Sequence, residues 1–87
     1  MHKPIQPLFP GKAAVKVFFL EESQIRDELI AITRKLFPQL DDHDIHTQTS
    51  NKNKYRVISF HLFIDNEAQL KELYQALKNH PDVTMVL

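Results

Sequence analysis

The chain has 87 residues and no cysteine, and its eleven basic and eleven acidic side chains cancel at neutral pH. A chain of this length forms one domain with little interior for a deep cleft, so a site is expected on a sheet face, an edge or a loop. The composition excludes a disulfide framework, an iron–sulfur cluster and a thiolate zinc site; no apolar run approaches the roughly 18 residues of a membrane span; and a neutral chain lacks the basic surplus that nucleic-acid binding draws on.

Pro4, Pro7, Pro10 and Gly11 crowd the N-terminus. Prolines at this spacing fit neither a helix nor a central strand. They predict an extended or loose arm over 1–11 before a single domain over 12–87, with Leu8 and Phe9 resting on that domain. A disordered tail fits the same composition. The charged start and apolar stretch of a signal peptide are missing, so a cytoplasmic protein is expected.

Ala13 to Leu20 reads as a first strand, with Val15, Val17 and Phe19 alternating against Lys16 and Phe18. Apolar residues on both faces suit a central strand. Ser23 can cap a following helix, with Asp27 and Glu28 near its positive end. Ile25, Leu29, Ile32 and Leu36 mark its apolar face, and Pro38 ends it. Ile45 to Ser50 is a polar strand suited to an edge. Asn51, Lys52, Asn53 and Lys54 then form a turn.

Tyr55 to Ile64 is the strongest strand. Ile58, Phe60, Leu62 and Ile64 share one face, and Tyr55, Val57, Ser59, His61 and Phe63 share the other. Asn66 and Gln69 resemble a capping box before a second helix striped by Leu70, Leu73, Tyr74 and Leu77. Pro81 and Asp82 end that helix, and Val83 to Leu87 is a short last strand. The order βαββαβ predicts an α+β fold of ferredoxin-like topology. Right-handed crossovers place both helices on one face of a four-stranded antiparallel sheet, and the other face stays open.

With these elements placed, the chain resembles the YbeD-like family, small bacterial proteins without an assigned activity. The matching residues are Phe9-Pro10, Lys16-Val17, Ser50, Lys52, Tyr55, Leu73-Tyr74, Leu77 and the final Met85-Val86-Leu87. The resemblance implies a fold similar to the ACT-type regulatory domains, which commonly pair and often bind small molecules such as amino acids at their interfaces. The chain departs from the family pattern at Asn53, where glycine is common in the turn. It departs from ligand-binding ACT domains after the first strand, where Leu20, Glu21 and Glu22 replace a glycine-containing loop. That second departure argues against amino-acid binding.

Asp41, Asp42, His43, Asp44 and His46 form a cluster of metal-ligand residue types. On a strand, Asp42, Asp44 and His46 would share one side. The spacing matches no metal motif, and a solvated polar loop explains it better. No nucleophile with a base and an orienting acid is identifiable. An acylphosphatase-like phosphate cradle would meet the repelling charges of Glu21 and Glu22. The aromatics of the open face resemble an RNA-binding sheet, but the glycine-containing consensus is absent and the charge is neutral.

The expectation is a non-enzymatic regulatory or adaptor module with no catalytic residue, cofactor or metal ligand. Its interaction surface comprises Lys16, Phe18, Val57, Ser59, His61 and Phe63 on the open face. The partner is another protein or a second copy of the chain. Small-molecule binding of ACT type is the alternative, RNA binding the second, and no membrane is involved.

Overall fold

The computed structural model describes residues 9–49 and 54–87. Strand β1 (Gly11–Leu20) leads through a 3-10 turn (Glu21–Ser23) to helix α1 (Arg26–Leu36). A second 3-10 turn (Asp42–Asp44) precedes strands β2 (Ile45–Thr49) and β3 (Tyr55–Ile64), helix α2 (Glu67–Lys78) and strand β4 (Val83–Val86). Leu8, Ser50 and the turn residues Asn51–Asn53 lie outside the described residues.

The strands form one sheet in the order β2-β3-β1-β4, with every neighbouring pair antiparallel. This is the ferredoxin-like arrangement expected from the element order. The period-2 pattern fixes the faces. Val15, Val17 and Phe19 on β1 and Ile58, Phe60, Leu62 and Ile64 on β3 are buried. They join Leu29 and Ile30 of α1 and Leu73 and Leu77 of α2 in one core. The two longest strands are central and paired along their whole length, from Gly11–Ile64 to Leu20–Tyr55.

Several boundaries differ from the sequence reading. The first strand begins at Gly11, not Ala13, because Ile64 reaches far enough to pair with it. Gly11 therefore belongs to the sheet and not to the arm over 1–11. Phe9 packs against the core, as expected.

Ser23 does not cap α1. Its hydroxyl donates back to the Leu20 carbonyl at 2.7 Å and closes the 3-10 turn. Gln24 then turns left-handed, at φ 54° and ψ 40°, and Ile25 stands at the cap without a side-chain bond. Thr33 and Ile30 are buried more completely than Ile32 and Leu36. A buried threonine is tolerated here because its hydroxyl donates to the Leu29 carbonyl at 2.9 Å.

The second helix starts much as its sequence suggests. Asn66 Oδ1 accepts the Gln69 N–H at 2.9 Å. The return bond differs by one residue: Gln69 Oε1 accepts from the Asp65 N–H at 2.8 Å rather than from Asn66.

His80, just beyond α2, pins the two helices together. Its Nδ1 accepts the Asp82 N–H at 3.1 Å. That leaves Nε2 as the protonated nitrogen, which donates to Glu28 Oε2 on α1. The imidazole is largely buried while the carboxylate is mostly exposed. His80→Ala is expected to destabilise the fold by roughly 1 kcal/mol, the usual net worth of one such bond in partial solvent. Denaturant midpoints check this, and Glu28→Ala in the His80→Ala background should add little.

Candidate interaction face

Helices cover one side of the sheet, and alternation sends every second strand residue to the other. The register resolves that open side into cross-strand rows. Gln48, Val57, Phe18 and Met85 form one row that spans all four strands. His46, Ser59 and Lys16 form the next. Leu87 joins it by exchanging two backbone hydrogen bonds with Lys16, at 2.7 and 2.9 Å. Farther along, His61 lies opposite Ala14, and Phe63 opposite Lys12. At the other end Leu20 pairs with Tyr55.

The six residues singled out from the sequence thus share one face, with Lys16 facing Ser59 and Phe18 facing Val57. Their apolar members are not contiguous. Phe63 pairs with Lys12, six residues from Phe18 along β1, a separation of about 20 Å at normal strand rise. The hydrophobic patch instead runs from Val57 and Phe18 to Met85, with Leu20 and Leu87 beside it. Phe63 remains 59 % exposed, and Met85 is 44 % exposed. The contributions of Met85, Leu87 and Leu20 were missed from the sequence. They become visible only when β4 is placed beside β1, since a four-residue strand shows too little alternation to assign its faces.

His46 and His61 are brought together from adjacent strands. Their rings meet edge to face with centroids 5.2 Å apart. They are diagonal neighbours, since His46 pairs with Ser59. Sequence reading placed His46 with the aspartates and His61 elsewhere.

The aspartate cluster folds differently from the strand geometry first considered. Asp42–Asp44 is a 3-10 turn, so Asp42, Asp44 and His46 do not line one side of a strand. Each carboxylate has another partner. Asp42 pairs with Arg34 at 3.0 Å. Asp44 Oδ2 accepts the Asp41 N–H at 3.3 Å. Asp41 lies 3.5 Å from His43 Nδ1. That side-chain hydrogen bond holds the Asp41 carboxyl below the usual carboxylate range. The stabilisation is present above the unfolded carboxylate pKa and is lost as pH falls through the lowered one. His43→Ala should raise the Asp41 pKa only part of the way toward the ordinary carboxylate value, because backbone N–H groups of residues 42 and 43 still bond its carboxylate, and carboxyl NMR shifts read the change.

Among the described residues no three histidine, aspartate or glutamate side chains converge as a metal site would require. Calorimetry with zinc, manganese and nickel is expected to show at most weak binding. A stoichiometric micromolar site abolished by His46→Ala would overturn that expectation.

The loop after β1 is also closed by charge pairing. Glu21 Oε1 meets Arg56 Nη2 at 3.2 Å, and the Glu21 N–H donates to the Lys54 carbonyl at 3.0 Å. Among the described residues, no helix is long and apolar enough to cross a membrane.

The model of the family described as "Protein of unknown function (DUF493)" matches residues 6–87. The chain belongs to this family. The resemblance to the YbeD-like proteins is thereby borne out. UPF0250 protein NE1487 of Nitrosomonas europaea is 27% identical over 79 residues, which cover 91% of each chain. A UPF0250 protein of Neisseria gonorrhoeae is 28% identical over 79 residues, covering 91% of this chain and 87% of the relative. Neither name describes an enzymatic activity.

The fold is shared with solved structures. The solution structure of HP0495 from H. pylori superposes with a TM-score of 0.74 at 15% identity, covering 98% of this chain and 89% of that one. The ACT domain from the GTP pyrophosphokinase of Chlorobium tepidum superposes with a TM-score of 0.60 at 14% identity, covering 87% and 94%. At these identities the likeness is one of fold alone.

Proposed function

We propose that this DUF493 protein is a non-enzymatic adaptor or regulatory module of the cytoplasm, working through protein contacts on its open sheet face. The observation that carries this reading is the unbroken apolar row Val57–Phe18–Met85, flanked by the exposed side chains of Leu20 and Leu87. Scattered surface hydrophobes are ordinary, but a contiguous set on a flat sheet marks a contact surface. Zero net charge offers little opposition to association.

The ACT-like fold raises small-molecule binding as the competing reading. The loop after β1 gives it little support, because Glu21 is tied to Arg56 and Glu22 adds negative charge there.

The test is association itself. Phe18→Ser with Phe63→Ser should weaken self-association in analytical ultracentrifugation, or partner recovery in a pull-down, while unfolding stays cooperative. The patch geometry assigns most of that effect to Phe18. A strictly monomeric protein whose interactions ignore the double substitution would sink the reading.

A further inference from the structure

The acidic side chains of this neutral chain lie off its strands, whereas basic ones occur both there and on the helices, as Arg26, Arg34, Lys35, Lys71 and Lys78 do. None of the four strands contains an aspartate or glutamate. All eleven acidic residues lie in the helices, the 3-10 turns and the connecting segments. The open face carries Lys12 and Lys16, both exposed, together with His46 and His61. Carboxylates stand at its two ends: Asp44 lines a shallow pocket with Lys12, His61 and Phe63, and Glu21 and Glu22 line another beside Leu20.

The lysines flank the apolar patch along one strand. Lys16 is two residues from Phe18, and Lys12 is four residues farther on, opposite Phe63. A partner lying along β1 would meet ammonium groups and apolar side chains in alternation. Between the carboxylates at its two ends, the strand residues themselves carry none.

We propose that the open face docks an acidic, partly apolar segment of a different protein, with its apolar side chains on Phe18, Val57 and Met85 and its carboxylates on Lys12 and Lys16. The proposal rests on the adaptor reading above and supplies the chemistry of the partner. Complementary charge sets register and on-rate at such a surface, while the apolar patch supplies the desolvated centre.

Two other occupants fit less well. A second copy apposed by the same face repeats Lys16 at its centre and offers carboxylates only at the two ends, from Asp44 and the Glu21–Glu22 pair, since a two-fold contact repeats the same surface. RNA would need stacking platforms on neighbouring central strands, yet Phe18 faces Val57 and Phe63 faces Lys12. The face also lacks arginine, the usual bidentate phosphate ligand.

Site-specific photocrosslinking tests this. A benzophenone amino acid replaces Ser59, at the centre of the face, in the full chain expressed in its source cells. A control position is Lys71 on the exposed side of α2. The crosslinked segment is identified by mass spectrometry, synthesised as a peptide and titrated against the purified protein. The expected segment is acidic and contains apolar residues. Its affinity should fall with salt and should drop at least tenfold in the Lys12→Glu, Lys16→Glu variant. Lys12→Gln, Lys16→Gln serves if the reversal variant fails to fold, and it should show a smaller loss in the same direction. A crosslink to a neutral or basic segment, or to a second copy, overturns the charge inference and leaves the adaptor reading standing. A crosslink to RNA, or none above the Lys71 control, overturns both.

Discussion

Phe60→Ala is expected to destabilise the domain by about 3–5 kcal/mol, the usual cost of truncating a buried phenylalanine. Phe60 is fully buried at the middle of the inward row on β3. It is held on both sides, by Val15 on β1 and Ile45 on β2. Removing the ring therefore opens a void that neighbours pinned in a sheet fill only in part. A small domain has little stability to lose, so a large fraction should populate unfolded states at room temperature. Urea unfolding measures the loss. A midpoint shift equivalent to less than about 1 kcal/mol would mean an inverted face for β3, because a slip of one residue exchanges the two sides. The open face would then be the core, and the interaction proposals would fall together.

The phase of the sheet was legible because β1 and β3 are long. Ten residues of alternation on each fix which side is apolar enough to bury. The element order then supplied the topology. Local bonds at the loops were less legible. Ser23 carries the right chemistry for a cap, but the left-handed Gln24 moves the helix start past it. The open face was legible in its central pairs, Lys16 with Ser59 and Phe18 with Val57, since those follow from the phase alone. Its extent was not. Whether Phe18 lies near Phe63 or Met85 depends on register and strand order, which no single strand encodes. The absence of acids from the strands was equally hidden. Net charge sums over the chain, whereas the acid-free sheet appears only when strands are distinguished from helices.

Helix α1 carries the second large effect. Its apolar stripe as read from the sequence gives Ile25, Leu29, Ile32 and Leu36 equal standing. The structure ranks them. Leu29 is fully buried and Ile25 nearly so, while Ile32 and Leu36 are half-buried and Thr33 takes the inward position. Leu29→Ala should therefore cost about 2–5 kcal/mol, the range for emptying a packed leucine site. Ile32→Ala should cost roughly 1 kcal/mol, in keeping with the smaller apolar area withdrawn from water there. Thr33→Val should cost less than about 1 kcal/mol, because the Leu29 carbonyl keeps its intrahelical partner when the hydroxyl is lost. The order of the three is the sharper test, since it depends on helix rotation more than on absolute packing energies. Chemical unfolding of the three variants under one condition gives that order directly. Ile32→Ala proving more damaging than Leu29→Ala would show α1 turned about its axis, with Ile32 rather than Leu29 facing the sheet.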